Sequence, residues 1–232
     1  MLHEILQSSA VWGVLLTAAA FALGSWISRK TGKAIFNPLL LGSIFVIIFL
    51  AVFDIGYPEF KASAAPVTYL LLPATVSLAI PLYEKWQLLQ KNAMAILAGI
   101  LAGVLTSLVT ILLIGVVMGL SYEQYITLLP KSVTTAISMD VSATLGGMAA
   151  LTSAVVAVTG IAGNLMAVLV CRLFRITDPM ARGIAIGTAS HAIGTSKAIE
   201  MGETEGAMSG LAIAVAGVLT AVLCPVFAGF LP

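Results

Sequence analysis

Residues 187–197 read Gly187-Thr-Ala-Ser-His-Ala-Ile-Gly-Thr-Ser-Lys197, and residues 130–140 read Pro130-Lys-Ser-Val-Thr-Thr-Ala-Ile-Ser-Met-Asp140. These polar stretches stand in a chain of 232 residues that is 60% hydrophobic and 9% charged, with mean hydropathy +1.10. A soluble domain of this size carries about 25% charged residues. There is too little polar surface to wrap one globule, so lipid must be the solvent for much of the outside. The expected fold class is an all-α polytopic membrane protein. A net charge of +1 leaves no field to recruit nucleic acid. The two cysteines, Cys171 and Cys224, lie in apolar runs and read as small hydrophobes rather than a disulfide.

Working outward, Val11–Ile27, Pro38–Phe53, Ala93–Leu120, Leu151–Phe174 and Gly206–Phe230 are apolar runs near the length that crosses a bilayer. Pro66–Tyr83, Ser132–Gly147 and Gly183–Met201 are apolar but interrupted. Before Val11 there is no Lys or Arg, whereas Arg29, Lys30 and Lys33 follow the first run. A cleaved signal has the opposite order, so this run is expected to remain as a first helix. The positive-inside rule puts the segments with Arg29–Lys33, Lys85–Lys91 and Arg172–Arg182 in the cytoplasm. Those with Asp54 and Glu59, Glu123, and Glu203 and Glu205 are then expected outside.

Eight simple crossings would violate this assignment. Folding Ser132–Gly147 as a re-entrant hairpin restores it. The expectation is about seven transmembrane helices plus that hairpin, in one domain spanning residues 1–232, with the N-terminus outside and the C-terminus inside. Expected helix breaks are Pro73, Pro81, Gly146, Gly147, Gly187 and Gly194. An echo, Ala102-Gly-Val-Leu-Thr106 against Ala216-Gly-Val-Leu-Thr220, suggests an inverted repeat of the kind transporters use. Glycines four apart, such as Gly99 with Gly103 and Gly183 with Gly187, let two backbones approach. They do not by themselves decide between packing within one bundle and a dimer.

Ionisable groups at a helix centre cost about 2.5–3.5 kcal/mol on insertion scales. Here they concentrate in the interrupted elements. Lys131, Ser132, Thr134 and Thr135 read as a helix start, with free N–H groups and a cation suited to a carboxylate. A capped interfacial helix with Lys131 snorkelling is the plainer alternative. In the second stretch His191, Thr195, Ser196 and Lys197 are candidate substrate contacts, with His191 and Asp140 as candidate ion-coupling groups. A buried His satisfied by a carbonyl, and a structural Lys197–Glu200 pair, are the alternatives. Lys follows Ser and the glycine spacing is wrong for a P-loop. His191 is the only histidine beyond the N-terminal tail, so neither metal nor cofactor is expected. No Gly-x-Ser-x-Gly elbow surrounds Ser190, so enzymatic activity is not expected. Asn164 reads as a helix–helix hydrogen bond.

Asn37-Pro-Leu-Leu40, Pro73-Ala74, Pro81-Leu-Tyr83, Pro130-Lys-Ser-Val-Thr-Thr135, Gly187-Thr-Ala-Ser-His-Ala-Ile-Gly-Thr195 and Glu205-Gly-Ala207 occur in that order over nearly the whole chain. Together they resemble the LrgB/CidB family, which includes the bacterial YohK-type proteins. Ala136 departs from the proline expected there. The resemblance implies one of two roles. One is an antiholin-like regulator of murein hydrolase export and lysis. The other is carboxylate transport, as in a chloroplast glycolate/glycerate translocator and bacterial pyruvate systems. It also implies a small LrgA/CidA-type membrane partner. Of the two, a localised cationic site favours a secondary transporter of small 2-hydroxy or 2-keto monocarboxylates, coupled to protons or sodium. The remaining expected partners are the lipid of a bacterial plasma membrane and a second copy of the chain in a homodimer.

Overall fold

The computed structural model describes residues 11–31, 36, 38–70, 73, 76 and 79–230, and every regular element among them is a helix. The chain divides into two compact units, Met1–Ser77 and Leu78–Pro232.

The first unit holds α1 (Trp12–Thr31), α2 (Pro38–Val52), α3 (Tyr57–Ser63) and α4 (Ala65–Tyr69). Here α1 and α2 pack through small residues. A Cβ on Gly24 would lie 2.7 Å from Pro38 O, and Gly42 faces the backbone of Ala20 and Phe21. Without a hydrophobic drive between helices in lipid, such close backbone approach is what holds a pair together.

The second unit holds α5 (Ala79–Glu84), α6 (Trp86–Met118), α7 (Tyr122–Leu128), α8 (Thr135–Thr144), α9 (Ala149–Leu173), α10 (Pro179–Met201) and α11 (Glu203–Ala228). Three of these, α6, α9 and α11, are long and apolar enough to cross a membrane. At 33 residues α6 would run about 50 Å, beyond the roughly 30 Å hydrocarbon core. It bends at Asn92, whose backbone leaves helical geometry and whose Nδ2 donates to Leu88 O.

Between α6 and α9 the chain makes a re-entrant hairpin. It leaves the end of α6 through α7 and reaches Ser132, whose hydroxyl shares a hydrogen bond with that of Ser107. Ser107 lies three turns, about 16 Å, inside the end of α6. The chain then returns along α8 to Gly147, which packs on Ile126 and Thr127. Gly146 has φ +89°, which a residue without Cβ adopts freely, so the expected break at Gly146–Gly147 is present as the turn into α9. Met148 N donates to Thr127 Oγ1, and Thr152 Oγ1 donates to Thr127 O and Ser142 Oγ, closing the base of the hairpin.

The second polar stretch, expected to cross, is also a hairpin. Gly183 lies on Glu205 and Gly187 on Ser209, so residues 179–189 run in the same direction as α11. Thr195 hydrogen-bonds Ser209, and Ile199 lies against Gly206, so residues 192–201 run back. The reversal falls at Ser190 (φ −138°, ψ 17°) and His191 (φ 42°, ψ −144°). The expected breaks at Gly187 and Gly194 are therefore corrected. Both glycines are helical and serve close packing, Gly187 on α11 and Gly194 on Ser190. Pro81 sits inside α5, and the neighbours of Pro73 lie outside the described residues. Asn37 and most of 71–78 lie outside the described residues.

This second hairpin changes the topology. Lys85 Nζ pairs with Glu203 at 3.3 Å, and Arg182 with Glu205 at 3.9 Å. The acidic turn at Glu203–Glu205, expected outside, shares an end with the basic loops. At the other end Tyr125 Oη donates to Phe227 O. Hence α6 and α11 run parallel, and the echoed segments they carry are not inverted copies. The inversion lies instead in the hairpins, which enter from opposite ends. The end of α11 falls on the side opposite the basic loops, where the sequence placed the C-terminus inside.

Two measurements follow. Single cysteines from Arg175→Cys and Glu203→Cys, with buried Cys171 and Cys224 replaced by Ala, should label from the same face with an impermeant maleimide. Labelling from opposite faces refutes the second hairpin. In α9, a Cβ on Gly163 would collide with the Ser190 side chain. Gly163→Leu should therefore lower stability by about 1–3 kcal/mol, read by thermal unfolding in detergent.

Candidate functional site

Both hairpin tips reach the middle stretch of α6. Ser132 touches α6 at Ser107, and Thr188 touches it at Gly103. Those positions are one turn apart, about 6 Å along the axis.

The returning arm of each hairpin begins at the tip, so two helix N-termini face the middle of the unit. Thr134 is the N-cap of α8 but makes no side-chain cap bond. Three carbonyls of the incoming arms, by contrast, find partners near the tips. Leu128 O accepts from Lys131 N, Pro130 O from Ser138 Oγ (2.6 Å) and Ile186 O from Ser190 Oγ (2.8 Å). The first turn of α8 is thus left without a side-chain cap, and a helix N-terminus of that kind favours an anion. Lys131 adds a full charge. Its Nζ donates to Ser132 Oγ at 3.1 Å, and it has no carboxylate partner among the described residues.

Lys131 and Ser132 line a cavity of about 610 Å³ between α6 and the incoming arm of α10. Thr188 also lines it, 4% exposed, and its Oγ1 is the one buried side-chain oxygen or nitrogen among the described residues without a hydrogen-bond partner. Thr106, Ser107 and Thr110 add hydroxyls from α6. Thr106 and Thr110 already donate to carbonyls one turn back.

The remaining expected residues separate. His191 is buried at the second tip, where Nε2 lies 3.0 Å from Val156 O. A carbonyl only accepts, so Nε2 carries the proton. Thr195 is spent on His191 O and Ser209 Oγ, holding the hairpin to α11. Ser196 donates to Ile193 O and accepts from Asn164 Nδ2, which also donates to Ile193 O. Asn164 is thus the helix–helix bond expected of it. Lys197 pairs with Glu200 at 2.8 Å on an exposed face, the plainer of its two readings. Thr135 and Asp140 are exposed on α8, and Asp140 is not among the residues lining the cavity with Lys131. Thr188 and Ser107 went unselected in the sequence. Thr188 lies inside the quoted polar string, and Ser107 sits one turn past the noted Gly99–Gly103 pair.

Fold and site together define a helical membrane protein with a cationic cavity at the junction of two re-entrant hairpins. Residues 17–230 match the LrgB-like family, and the chain belongs to it. It is 34% identical over 221 residues to the antiholin-like protein LrgB of Bacillus mycoides strain KBAB4, covering 95% of this chain and 96% of the relative. The proteins of the same name from Bacillus cereus strain B4264 and Bacillus anthracis strain CDC 684 are 33% identical over the same spans. No solved structure matches the chain.

The contrast between two threonines is testable without a ligand. Thr188→Val should leave stability unchanged or slightly raised, because its hydroxyl is unpartnered. Thr195→Val should cost about 1–2 kcal/mol, because two bonded groups lose it. Thermal unfolding of the ligand-free protein reads both.

Proposed function

We propose that this chain is a membrane carrier for small organic anions, with short 2-hydroxy and 2-keto monocarboxylates as its first substrates. One observation carries the reading: Lys131, a cation without a carboxylate partner among the described residues, lines a cavity beside the uncapped N-terminus of α8. Discontinuous helices whose N-termini point at an anionic group are how many secondary transporters build a midplane site. Lys131, Ser132 and the first-turn N–H groups of α8, at Thr134 and Thr135, would hold the carboxylate. His191, at the opposing tip, would couple the movement to a proton. The hairpins would move against the scaffold of α6, α9 and α11.

The relatives' name supports a second reading, an antiholin-like protein that regulates lysis, and it speaks for that reading more directly than for a carrier. An LrgA/CidA-type partner, a homodimer and a bacterial plasma membrane suit either. An intramembrane hydrolase is not proposed. Ser190 Oγ donates to Ile186 O and His191 Nε2 meets Val156 O, so the hydroxyl and the ring are turned to different carbonyls.

Reconstitution in liposomes separates the readings. A carrier takes up labelled pyruvate or glycolate saturably, and Lys131→Met lowers that uptake at least tenfold while the protein stays folded. In His191→Gln, uptake should persist but lose its response to a pH gradient. Unsaturable leakage of unrelated dyes, unchanged by Lys131→Met, refutes the carrier and supports the lysis-related reading.

A further inference from the structure

The cavity is longer than a three-carbon acid requires. Its lining on α6 runs from Asn92 to Thr110, about 27 Å of helix. The polar groups Lys131, Ser132, Ser107 and Thr188 gather toward one end, and Asn92 and Asp178 stand at the other. Between them the wall is apolar: Ala95, Ile96 and Gly99 from α6, and Met180, Ile184 and Ala185 from α10. From Gly103 back to Ala95 this trough covers about 12 Å. The arrangement is amphipathic, with a charged and hydroxylated head and a greasy tail. At the head, Thr188 lines the cavity, and its buried Oγ1 has no hydrogen-bond partner.

We propose that this cavity binds medium-chain aliphatic monocarboxylates, head toward Lys131, Ser132 and Thr188 and acyl chain along the trough between α6 and α10. The proposal rests on the carrier reading for its anionic head and extends it to a tail that short substrates leave unfilled. A single unpaired cation balances a single carboxylate, so a dianion of equal length would leave its second charge in the apolar wall. Each methylene moved from water into the trough adds about twofold to fourfold in affinity, until the chain reaches the Asn92–Asp178 mouth.

Competition against labelled pyruvate uptake in liposomes of the full chain tests this, using acetate, butyrate, hexanoate and octanoate with a dye-leak control. Nanodisc-held protein gives direct binding by thermal shift. The expected result is half-inhibition at concentrations that fall at least thirtyfold from acetate to octanoate, with adipate far weaker than hexanoate. Ala185→Phe fills the trough and should flatten the series while leaving pyruvate uptake intact. Gly99→Leu, whose Cβ would meet Ile184 at an ordinary 3.5 Å, is the second blocking variant should Ala185→Phe fail to fold. Pyruvate uptake with no gain along the series overturns the tail site and leaves the carrier reading standing. Chain-length-dependent binding in nanodiscs without any uptake supports the site and sinks the carrier. Neither binding nor uptake of any acid overturns both.

Discussion

Inside a bilayer, backbone that leaves a helix has no water to bond, and each unsatisfied group costs several kcal/mol. Both hairpins of this chain break in the middle of the membrane-spanning unit, so the surrounding helices must supply what lipid cannot. They do so with small residues and hydroxyls. At the second tip Ser190 bonds Ile186 O, Thr195 bonds His191 O, His191 bonds Val156 O, and Asn164 reaches across from α9 to Ile193 O. At the first, Ser138 bonds Pro130 O and Ser132 is met by Ser107 of α6. Gly160 and Gly163 of α9 leave the space into which the second tip fits. The conformation of His191, with φ 42° in a residue that carries a Cβ, costs about 1–3 kcal/mol and persists because these bonds over-determine it.

The fold class and the first hairpin were legible in the sequence because both follow from composition. Apolar runs of sufficient length declare themselves, and Gly146–Gly147 after a hydroxyl-rich segment marks a return. The second hairpin was hidden. Its break falls on Ser190 and His191, in a string without the Pro-Gly, Asn-Gly or Asp-Gly pairs that mark a turn, while the flanking Gly187 and Gly194 stay helical for packing. Missing it misplaced the Glu203–Glu205 turn and the end of α11. Loop charge could not correct the error, since acidic residues carry little topological weight.

The candidate site was legible as two strings but not as a constellation. The returning arm of the second hairpin is amphipathic toward different neighbours. Thr195 turns to α11, Ser196 to α9 and Lys197 to its own Glu200, so polar residues adjacent in sequence end up on three sides. Thr188, before the tip, turns instead to α6 and the cavity. Sequence proximity to a break identifies which residues are deep. Only the direction of each arm decides which of them share a space.

The charges of the second unit sort by depth in a way that explains why Lys131 stands apart. Lys85, Arg182 and Lys197 each have a carboxylate within 4.0 Å, and all three pairs lie outside the hairpin junction. The exposed pairs, Lys85–Glu203 and Lys197–Glu200, contribute little to stability, whereas Arg182 meets a buried Glu205. Lys131, where a partner would matter most, has the Ser132 hydroxyl alone among the described residues. A carboxylate fixed beside it would neutralise the junction permanently and remove its affinity for any mobile anion. Hydroxyls solvate the ammonium without cancelling it and can turn to donate to an incoming oxygen, as Ser107 and Ser132 already can in either sense. The sum is a junction whose polar groups are individually tolerable and collectively short of one negative charge.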